Sequence, residues 1–368
     1  MQSMQTSALL SLLTLAFATM PSGAQQSVTS RPAVPLEPIG AIVGAFSSHR
    51  IVAMDEGNHG NEQGHAFRLS LIRDERFAAT VDDIVVEVGN SLYQDVMDRF
   101  VRGEDVPYSQ LRQVWENITM PHGPADRPIY EEFFRAVRSV NVSLPRDRQL
   151  RVLLGDPPIN WDVVQSSADT RKWIERREIS LYDVVQREVL DKGRRALVIY
   201  GGWHLLRKSL LVEPTNDPRL QLLPERLEKA GIKMFTIWTN TNAKLDSLQA
   251  DIRAWPKPSL TIVRGTVLGA ADFTFFAPTS GTMVPQKDGK AVPIQRAQWR
   301  SLPMEEQFDA VLYLGPPSSI TYTRMSPILC ADTAYMKMRL QRTALMREPF
   351  GPQLIESLKQ YCASHLPK

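Results

Sequence analysis

A chain of 368 residues with 43% apolar and 23% charged residues can bury a large core, and its composition is that of an ordinary globular protein. The length fits one large domain or two ordinary ones. The formal net charge is only +3 and no run of basic residues stands out, which argues against nucleic acid as a partner.

The first 24 residues predict a secretory signal peptide. A short apolar run over residues 8–20 is followed by Pro21-Ser22-Gly23-Ala24, which places small residues before a cleavage site after Ala24. No Lys or Arg precedes the run, and a membrane anchor is the alternative, although the run is short for a span. We expect an exported protein, periplasmic or secreted, with no stable membrane span after cleavage. A polar linker is predicted over residues 25–40.

Short apolar runs then alternate with longer segments of helical character. The runs are rich in β-branched residues and uniformly apolar, which is typical of strands buried on both faces. They cover residues 51–54, 84–86, 151–154, 196–200, 234–238 and 310–314. The predicted helices cover residues 63–74, 91–101, 109–117, 130–140, 170–190 and 222–230. This order predicts an α/β fold with a mainly parallel central sheet and helices on both faces.

Three further regions complete the prediction. Two successive helices predict a helical cap at about 105–145, inserted in an α/β domain over residues 41–325. Residues 255–303 contain several Gly and Pro and predict loops with one hairpin. Residues 326–368 predict a helical C-terminal tail, with its helix over 332–361.

The only two cysteines, Cys330 and Cys362, both lie in this tail. In an exported protein they can form a disulfide, and two buried thiols are the alternative. Neither has a metal-ligand partner at short spacing, so a zinc knuckle is excluded.

Polar residues follow four of the predicted strands. The carboxyl ends of parallel strands share one edge of a sheet, and ligands of α/β proteins bind there. We therefore expect Glu56, His59, Glu87, Asp156 and His204 at one rim. Each alone can be an ordinary loop residue, but their repetition at four strand ends predicts a pocket. Their segments are Asp55-Glu56-Gly57-Asn58-His59-Gly60, Glu87-Val88-Gly89-Asn90, Gly155-Asp156-Pro157-Pro158 and Gly201-Gly202-Trp203-His204.

The chemistry of this rim leaves two readings. A His beside a carboxylate can act as a general base on water near neutral pH. His59, Glu87 and His204 can alternatively hold a divalent metal, manganese or cobalt, with an open position. Arg68 can bind a carboxylate or an oxyanion, or form a surface salt bridge. His65 is six residues after His59, which is not the i, i+4 spacing of a helical metal pair, so we expect it to support the pocket.

Two of these segments resemble a known superfamily. Asp55-Glu56-Gly57-Asn58-His59-Gly60 resembles the Gly-Glu-x-x-His-Gly motif of erythromycin esterases and ChaN-type haem-uptake proteins. Gly201-Gly202-Trp203-His204 resembles the second Gly-x-x-His motif of the wider group that includes Tiki and TraB proteins. In erythromycin esterases an Arg and a Glu follow the first His by nine and 28 residues, and the same steps from His59 reach Arg68 and Glu87.

The resemblance spans about residues 51–238, where Arg177-Glu178 is similar to an Arg-Asp pair before the fourth strand. The chain departs from the pattern at Asp55, where the family has Gly, and at Gly201, where the esterases carry an additional His. Nothing after Phe276 matches, so the resemblance does not imply a macrolide substrate.

The resemblance implies a hydrolase that acts on an ester, lactone or peptide. His59 would activate water, Glu87 would orient or protonate, and Arg68 and His204 would stabilise charge on the substrate. We expect five further residues to bind substrate: Glu56, Asp156, Arg177, His65 and Asn90.

Three alternatives stay open. One is a non-catalytic haem or iron uptake protein of the ChaN type, in which Tyr93, Tyr108 and Tyr200 join the spare histidines. Another is a metal-dependent peptidase of the Tiki type. The third is a scaffold that has lost activity, because Asp55 and Gly201 both alter the expected site.

Overall fold

The computed structural model describes residues 30–120, 124–211, 221–277, 283–285, 291–293, 299–346 and 350–365. The segment predicted as a signal peptide lies outside these ranges, as do residues 25–29 of the predicted linker.

A seven-stranded sheet forms the centre of the fold. Its strands are β1 Ile51–Asp55, β2 Asp83–Asn90, β3 Arg151–Asp156, β4 Ala196–Tyr200, β5 Met234–Asn240, β6 Ser259–Ile262 and β9 Ala310–Tyr313. Their order is β3-β2-β4-β1-β5-β9-β6, and all neighbours are parallel except β6 and β9. A separate hairpin pairs β7 Met283–Pro285 with β8 Ala291–Pro293. All six predicted strands form, and the predicted α/β fold with a mainly parallel sheet is confirmed.

Both faces of the sheet are buried, which explains the uniformly apolar strands. In β1, Val52 and Met54 face one apolar core, while Ile51 and Ala53 face a second one. Successive strand residues point to opposite faces, so a strand covered on both sides needs apolar residues throughout.

Fifteen helices are present in the described part of the chain. They are α1 Pro38–Ala45, α2 Glu62–Arg73, α3 Glu75–Thr80, α4 Gln94–Val101, α5 Tyr108–Leu111, α6 Gln113–Glu116, α7 Pro128–Val142, α8 Ser167–Ile174, α9 Arg177–Val184, α10 Leu223–Lys229, α11 Val267–Ala270, α12 Met304–Gln307, α13 Pro327–Ala331, α14 Thr333–Ala344 and α15 Phe350–His365. A π-helix, Val185–Leu190, continues α9, and a 3-10 turn, Gly202–Leu205, follows β4.

Two predicted helices are broken in the structure. The helix predicted over 109–117 is divided into the four-residue helices α5 and α6. The helix predicted over 170–190 is divided into α8 and α9, so that α9 begins at Arg177. The side chain of Arg177 reaches the sheet and bonds to Glu87, and this buried ion pair fixes the start of α9.

Part of the predicted linker is bound to the edge of the sheet. The backbone N–H of Leu36 donates to the carbonyl of Leu260 at 2.7 Å, and that of Leu260 returns the bond at 3.1 Å. Ala33 is buried nearby, and α1 begins at Pro38. This segment therefore covers the outer side of β6.

The C-terminal region is helical, as predicted, and a disulfide between Cys330 and Cys362 joins α13 to α15. In the ranges that the structure describes, no helix has the length and apolar character needed to cross a membrane.

Candidate active site

The predicted rim lies at the carboxyl ends of β1, β2, β3 and β4. Asp55 at the end of β1 is in register with Tyr200 at the end of β4. The backbone N–H of Gly201 donates to the carboxylate of Glu87 at 2.7 Å, so the ends of β2 and β4 are bonded together. The register of β2 against β3 shifts between Val86 and Asn90, in the stretch that contains Glu87.

The loop after β1 makes two tight turns that place His59. Gly57 and Gly60 have φ angles of 75° and 84°, which glycine adopts without a steric penalty. Asn61 then begins α2 by accepting a hydrogen bond from the N–H of Gly64 at 3.0 Å. The guanidinium of Arg127 donates to the carbonyl of His59 and holds the loop from outside.

His59 forms a pair with Glu56 under a tyrosine. Its Nδ1 lies 3.2 Å from the Glu56 carboxylate and 3.2 Å from the hydroxyl of Tyr130, which itself donates to Glu56 at 2.5 Å. Burial disfavours the imidazolium, but the negative charge of Glu56 outweighs it and raises the pKa of His59. The side chain of His59 is 31% exposed, and its Nε2 has no hydrogen-bond partner among the residues described.

Arg68 and His65 lie behind this pair on α2, and both are buried. Arg68 donates to the carbonyl of Glu56 at 3.2 Å. His65 is 3.0 Å from the carboxylate of Glu132 on α7, and burial together with Arg68 lowers the pKa of His65. His65 therefore joins α2 to α7.

A second cluster surrounds Glu87. Its carboxylate accepts a hydrogen bond from Arg177 at 2.5 Å and lies 3.5 Å from Nε2 of His204. Burial alone would raise the pKa of Glu87, but His204, Arg177 and His59 together hold it well below its usual value. Glu87 is thus an ionised group between the two histidines of the rim.

His204 is held between two carboxylates. Its Nδ1 is 2.6 Å from Glu178, and its Nε2 faces Glu87. Burial opposes the charge, but these two carboxylates prevail and raise the pKa of His204 to about 10. His204 is therefore an imidazolium at neutral pH.

Two buried aspartates flank the clusters. Asp156 accepts hydrogen bonds from the N–H and hydroxyl of Thr119 at 2.7 and 2.6 Å and lies 3.6 Å from Arg177. Asp55 accepts from the N–H groups of Gly57 and Thr239 at 2.9 and 3.2 Å. Burial raises the pKa of each to about 7.

Asn90 has a different role from the predicted one. Its side-chain amide donates to the carbonyls of Asn117 and Ile159 at 2.6 and 2.8 Å, and its oxygen accepts from the N–H of Leu92. Because backbone groups use its whole amide and the residue is fully buried, Asn90 joins loops and does not face a ligand.

A small cavity of about 20 Å³ lies between the two clusters. It is lined by Glu56, Glu87, Arg68, His65 and Tyr130 together with apolar side chains. That volume suits about one water molecule, and these polar groups supply the partners that a buried water needs.

The three predicted metal ligands do not form a metal site. In the described ranges no group of three or more His, Cys, Asp or Glu side chains has the arrangement to hold an ion. Glu87 is occupied by Arg177 and by a backbone N–H, and that guanidinium would repel a cation. The donor set of His59, Glu87 and His204 therefore does not fit a divalent metal.

The tyrosines considered for haem do not converge either. The phenols of Tyr93 and Tyr108 are bonded to other side chains, and Tyr200 packs edge-on against His204.

Sequence reasoning did not find Tyr130, Arg127 or Thr119. All three lie between α4 and β3. Tyr130 and Arg127 come about 70 residues after His59 and bond to Glu56 and to the carbonyl of His59, and Thr119 comes 37 residues before Asp156 and bonds to it. No local pattern in the sequence links these three residues to the motifs, so the sequence carried no signal that could have found them.

No family model matches this chain, and no curated protein sequence matches it. Two crystal structures share its fold. One is a Bacillus cereus protein with 10% sequence identity and a TM-score of 0.51, covering 80% of this chain and 97% of that one. The other, described as a succinoglycan biosynthesis protein, has 10% identity and a TM-score of 0.51 and covers 83% and 100%. At this identity the likeness shows the α/β fold alone.

Proposed function

We propose that the protein is an exported hydrolase of the erythromycin esterase and ChaN-like superfamily, acting on an ester, lactone or peptide. The observation that carries this proposal is the Glu56–His59 pair. Nδ1 of His59 is held by Glu56 and Tyr130. The ring of His59 is partly exposed, and its Nε2 has no partner in the described part of the chain. A fixed imidazole with one free nitrogen is the arrangement of a general base.

In this reaction Nε2 of His59 takes a proton from water while the water oxygen attacks the substrate carbonyl. Glu56 stabilises the imidazolium that forms, and the same imidazolium then protonates the leaving group. His204, already cationic, supplies positive charge for the oxyanion, and Arg68 adds positive charge from behind the Glu56–His59 pair. Glu87 contacts Nε2 of His204 and bonds to Arg177, and it stays ionised because these neighbours hold its pKa well below its usual value.

Substrate panels test the proposal. Purified protein is assayed on chromogenic esters, lactones and fluorogenic peptides, with His59→Gln as the variant and His49→Gln as the matched control. His49 precedes β1 at the opposite end of the sheet. We expect turnover on one class, a loss of about 100-fold or more in kcat/KM for His59→Gln, and no change for the control.

Two outcomes would overturn the hydrolase. The first is no turnover on any panel, with or without added manganese or cobalt. The second is wild-type activity in His59→Gln. A Soret shift on titration with haem, combined with no turnover, would transfer the assignment to haem binding.

Export is supported by the Cys330–Cys362 disulfide, because such bonds persist in oxidising compartments. Expression of the full chain in a bacterial host, followed by mass spectrometry of the extracytoplasmic fraction, should give a mature protein that starts at Gln25. Retention of the intact N-terminus in the cytoplasm would contradict this part.

A further inference from the structure

A polar pocket of about 360 Å³ lies at the amino ends of the strands, at the opposite end of the sheet from the rim. Its walls come from the segments that precede four strands: Arg50 before β1, Asp82 before β2, Arg148 before β3, and Arg194 and Arg195 before β4. Four guanidinium groups line it, against two carboxylates, those of Asp82 and Asp147. The volume is within the range of small-molecule sites.

Two of these arginines are fixed in place. Arg50 donates to the carbonyl of Leu190 at 3.0 Å, which holds its guanidinium against the end of the π-helix. Arg194 is paired with the buried Asp83 at 2.6 and 2.8 Å. These contacts hold both guanidinium groups in place, so this wall of the pocket needs no ordering when a ligand binds, and the charge of Arg194 is already balanced by Asp83.

The other two arginines keep donors for a ligand. Arg148 is exposed, and its guanidinium makes one hydrogen bond within the described ranges, at 3.3 Å to the carbonyl of Ala79. Arg195 is exposed, and its guanidinium has no hydrogen-bond or ion-pair partner within the described ranges. The hydrogen bonds of Arg195 there are made by its backbone, whose N–H donates to the Asp82 carboxylate and whose carbonyl accepts from the N–H groups of Asp82 and Asp83.

We propose that this pocket binds a small molecule through a tetrahedral dianionic group, a phosphate or a sulfate. Guanidinium groups match such oxygens with paired N–H donors. Arg148 and Arg195 bring exposed guanidinium groups to the pocket from two separate segments, and the fixed guanidinium of Arg50 lines the same pocket. The site is independent of the hydrolase, because it lies at the amino ends of the strands whose carboxyl ends form the rim.

Isothermal titration of the mature protein with inorganic phosphate and inorganic sulfate tests the site, at an ionic strength held constant with sodium chloride. We expect saturable binding of one or both anions, and the tighter of the two identifies the group. The double variant Arg148→Gln/Arg195→Gln should weaken binding at least about tenfold, since each loses charge-assisted bonds.

Two further variants complete the test. Asp147→Asn removes a negative charge from the pocket lining and should tighten binding, the opposite direction to the arginine variant. Arg146→Gln is the matched control, because Arg146 is exposed in the same 3-10 turn but does not line the pocket. Equal binding by the double variant and the wild type, or no saturable heat beyond that of chloride, would overturn the proposal.

Discussion

The two histidines of the rim differ in what their carboxylate neighbours leave free. His204 has a carboxylate at each nitrogen, Glu178 at Nδ1 and Glu87 at Nε2. His59 has its carboxylate at Nδ1 only. A ring bonded on both sides holds its proton and acts as a fixed cation, whereas a ring bonded on one side can exchange a proton at the other. This difference supports the proposed division of roles, with proton transfer at His59 and charge stabilisation at His204.

The first prediction concerns the charge of His59. Glu56→Gln removes the negative charge that raises the pKa of His59, so its titration midpoint should fall. Since a general base must be deprotonated, the acid limb of kcat/KM should move to lower pH in the same variant. Side-chain NMR titration measures the first effect without any substrate. The signal of His49 at the other end of β1 serves as a reference, and an unmoved His59 midpoint would contradict the prediction.

The second prediction concerns Asp55, the buried carboxyl at the end of β1. Burial raises its pKa from 3.8 to about 7 in the folded state, so the folded protein binds this proton more tightly than the unfolded chain. The resulting stability is present below about pH 4 and is lost as the pH rises to about 7.

Asp55→Asn removes that dependence. The free energy of unfolding of the wild type relative to Asp55→Asn should fall with rising pH by about 1.4 kcal/mol per unit at most, and level off above about pH 7. Urea unfolding at several pH values measures it. If the free energies of unfolding of the wild type and Asp55→Asn differ by the same amount from about pH 4 to pH 7, the carboxyl of Asp55 is ionised in the folded protein throughout that range, which would contradict the prediction.

At the scale of elements, the turn after β4 depends on Gly202. A Cβ atom there would lie 2.4 Å from the ring of Trp238 and 2.9 Å from the carboxylate of Asp55. The turn can therefore approach β1 and β5 only because this residue has no side chain, and that approach places His204 two residues later.

The third prediction follows from this approach. Gly202→Ala should lower the free energy of unfolding by about 1–3 kcal/mol, because either the backbone of the turn or the side chain of Trp238 must move to make room for the added Cβ. Gly44→Ala in α1 is the control, because no atom lies within 4 Å of the added Cβ and alanine favours a helix. Urea unfolding compares the two, and equal stability of both variants would contradict the close approach.

The fourth prediction concerns the attachment of α14. Arg339 is fully buried and bonds to Asp126 at 2.6 and 3.1 Å, and the hydroxyl of Tyr335 donates to the same carboxylate. Removing one partner of a buried pair leaves an uncompensated charge. Asp126→Asn should therefore cost about 3–5 kcal/mol of stability.

The double variant Asp126→Asn/Arg339→Met completes a mutant cycle on this pair. It should cost less than the sum of the two single variants, because it buries no lone charge. Urea unfolding of the four proteins gives the coupling energy, and strict additivity would show that the pair contributes no specific interaction.

Elements of the fold differ in how strong a physical signal they leave in the sequence, and therefore in how well they can be predicted from it. Strands buried on both faces have a continuous apolar pattern, and all six predicted ones form. The edge strand β6 was missed, because its sequence Ser259-Leu260-Thr261-Ile262 alternates in polarity within a region rich in Gly and Pro. Its prediction as loop was wrong for that segment, while the hairpin expected in the same region is present as β7 and β8.

At the scale of the whole molecule, the motifs predicted which chain segments meet but not how each charge is compensated. Glu56 and His204 follow β1 and β4, and Glu87 lies in the C-terminal half of β2, so the topology alone brings them to one end of the sheet. The partners that decide their protonation come from helices far along the chain, as Tyr130 and Arg177 do. Such contacts depend on tertiary packing, which is why a metal site and a proton-transfer site could not be separated from sequence.

The fifth prediction concerns the disulfide that closes the C-terminal region. Cys330 and Cys362 are 32 residues apart, and a loop of that length loses entropy worth about 3–4 kcal/mol of stability when it is closed in the unfolded chain. The tail has a second attachment through Arg339 on α14. The helix α15 lies beyond it and is joined to the α13 region by the disulfide and by a hydrogen bond from the Tyr361 hydroxyl to the carbonyl of Met325.

Replacing both cysteines by serine should therefore release α15 before it affects the sheet. Hydrogen exchange of α15 amides should accelerate at least about tenfold, while exchange in β1 and β4 stays at its wild-type rate, because helices can open as local units. Arg339→Met in the same background should extend the fast exchange to α14. Uniform acceleration in both tail and sheet would mean that the tail unfolds only with the whole domain, and that the disulfide stabilises the sheet and the tail as one unit.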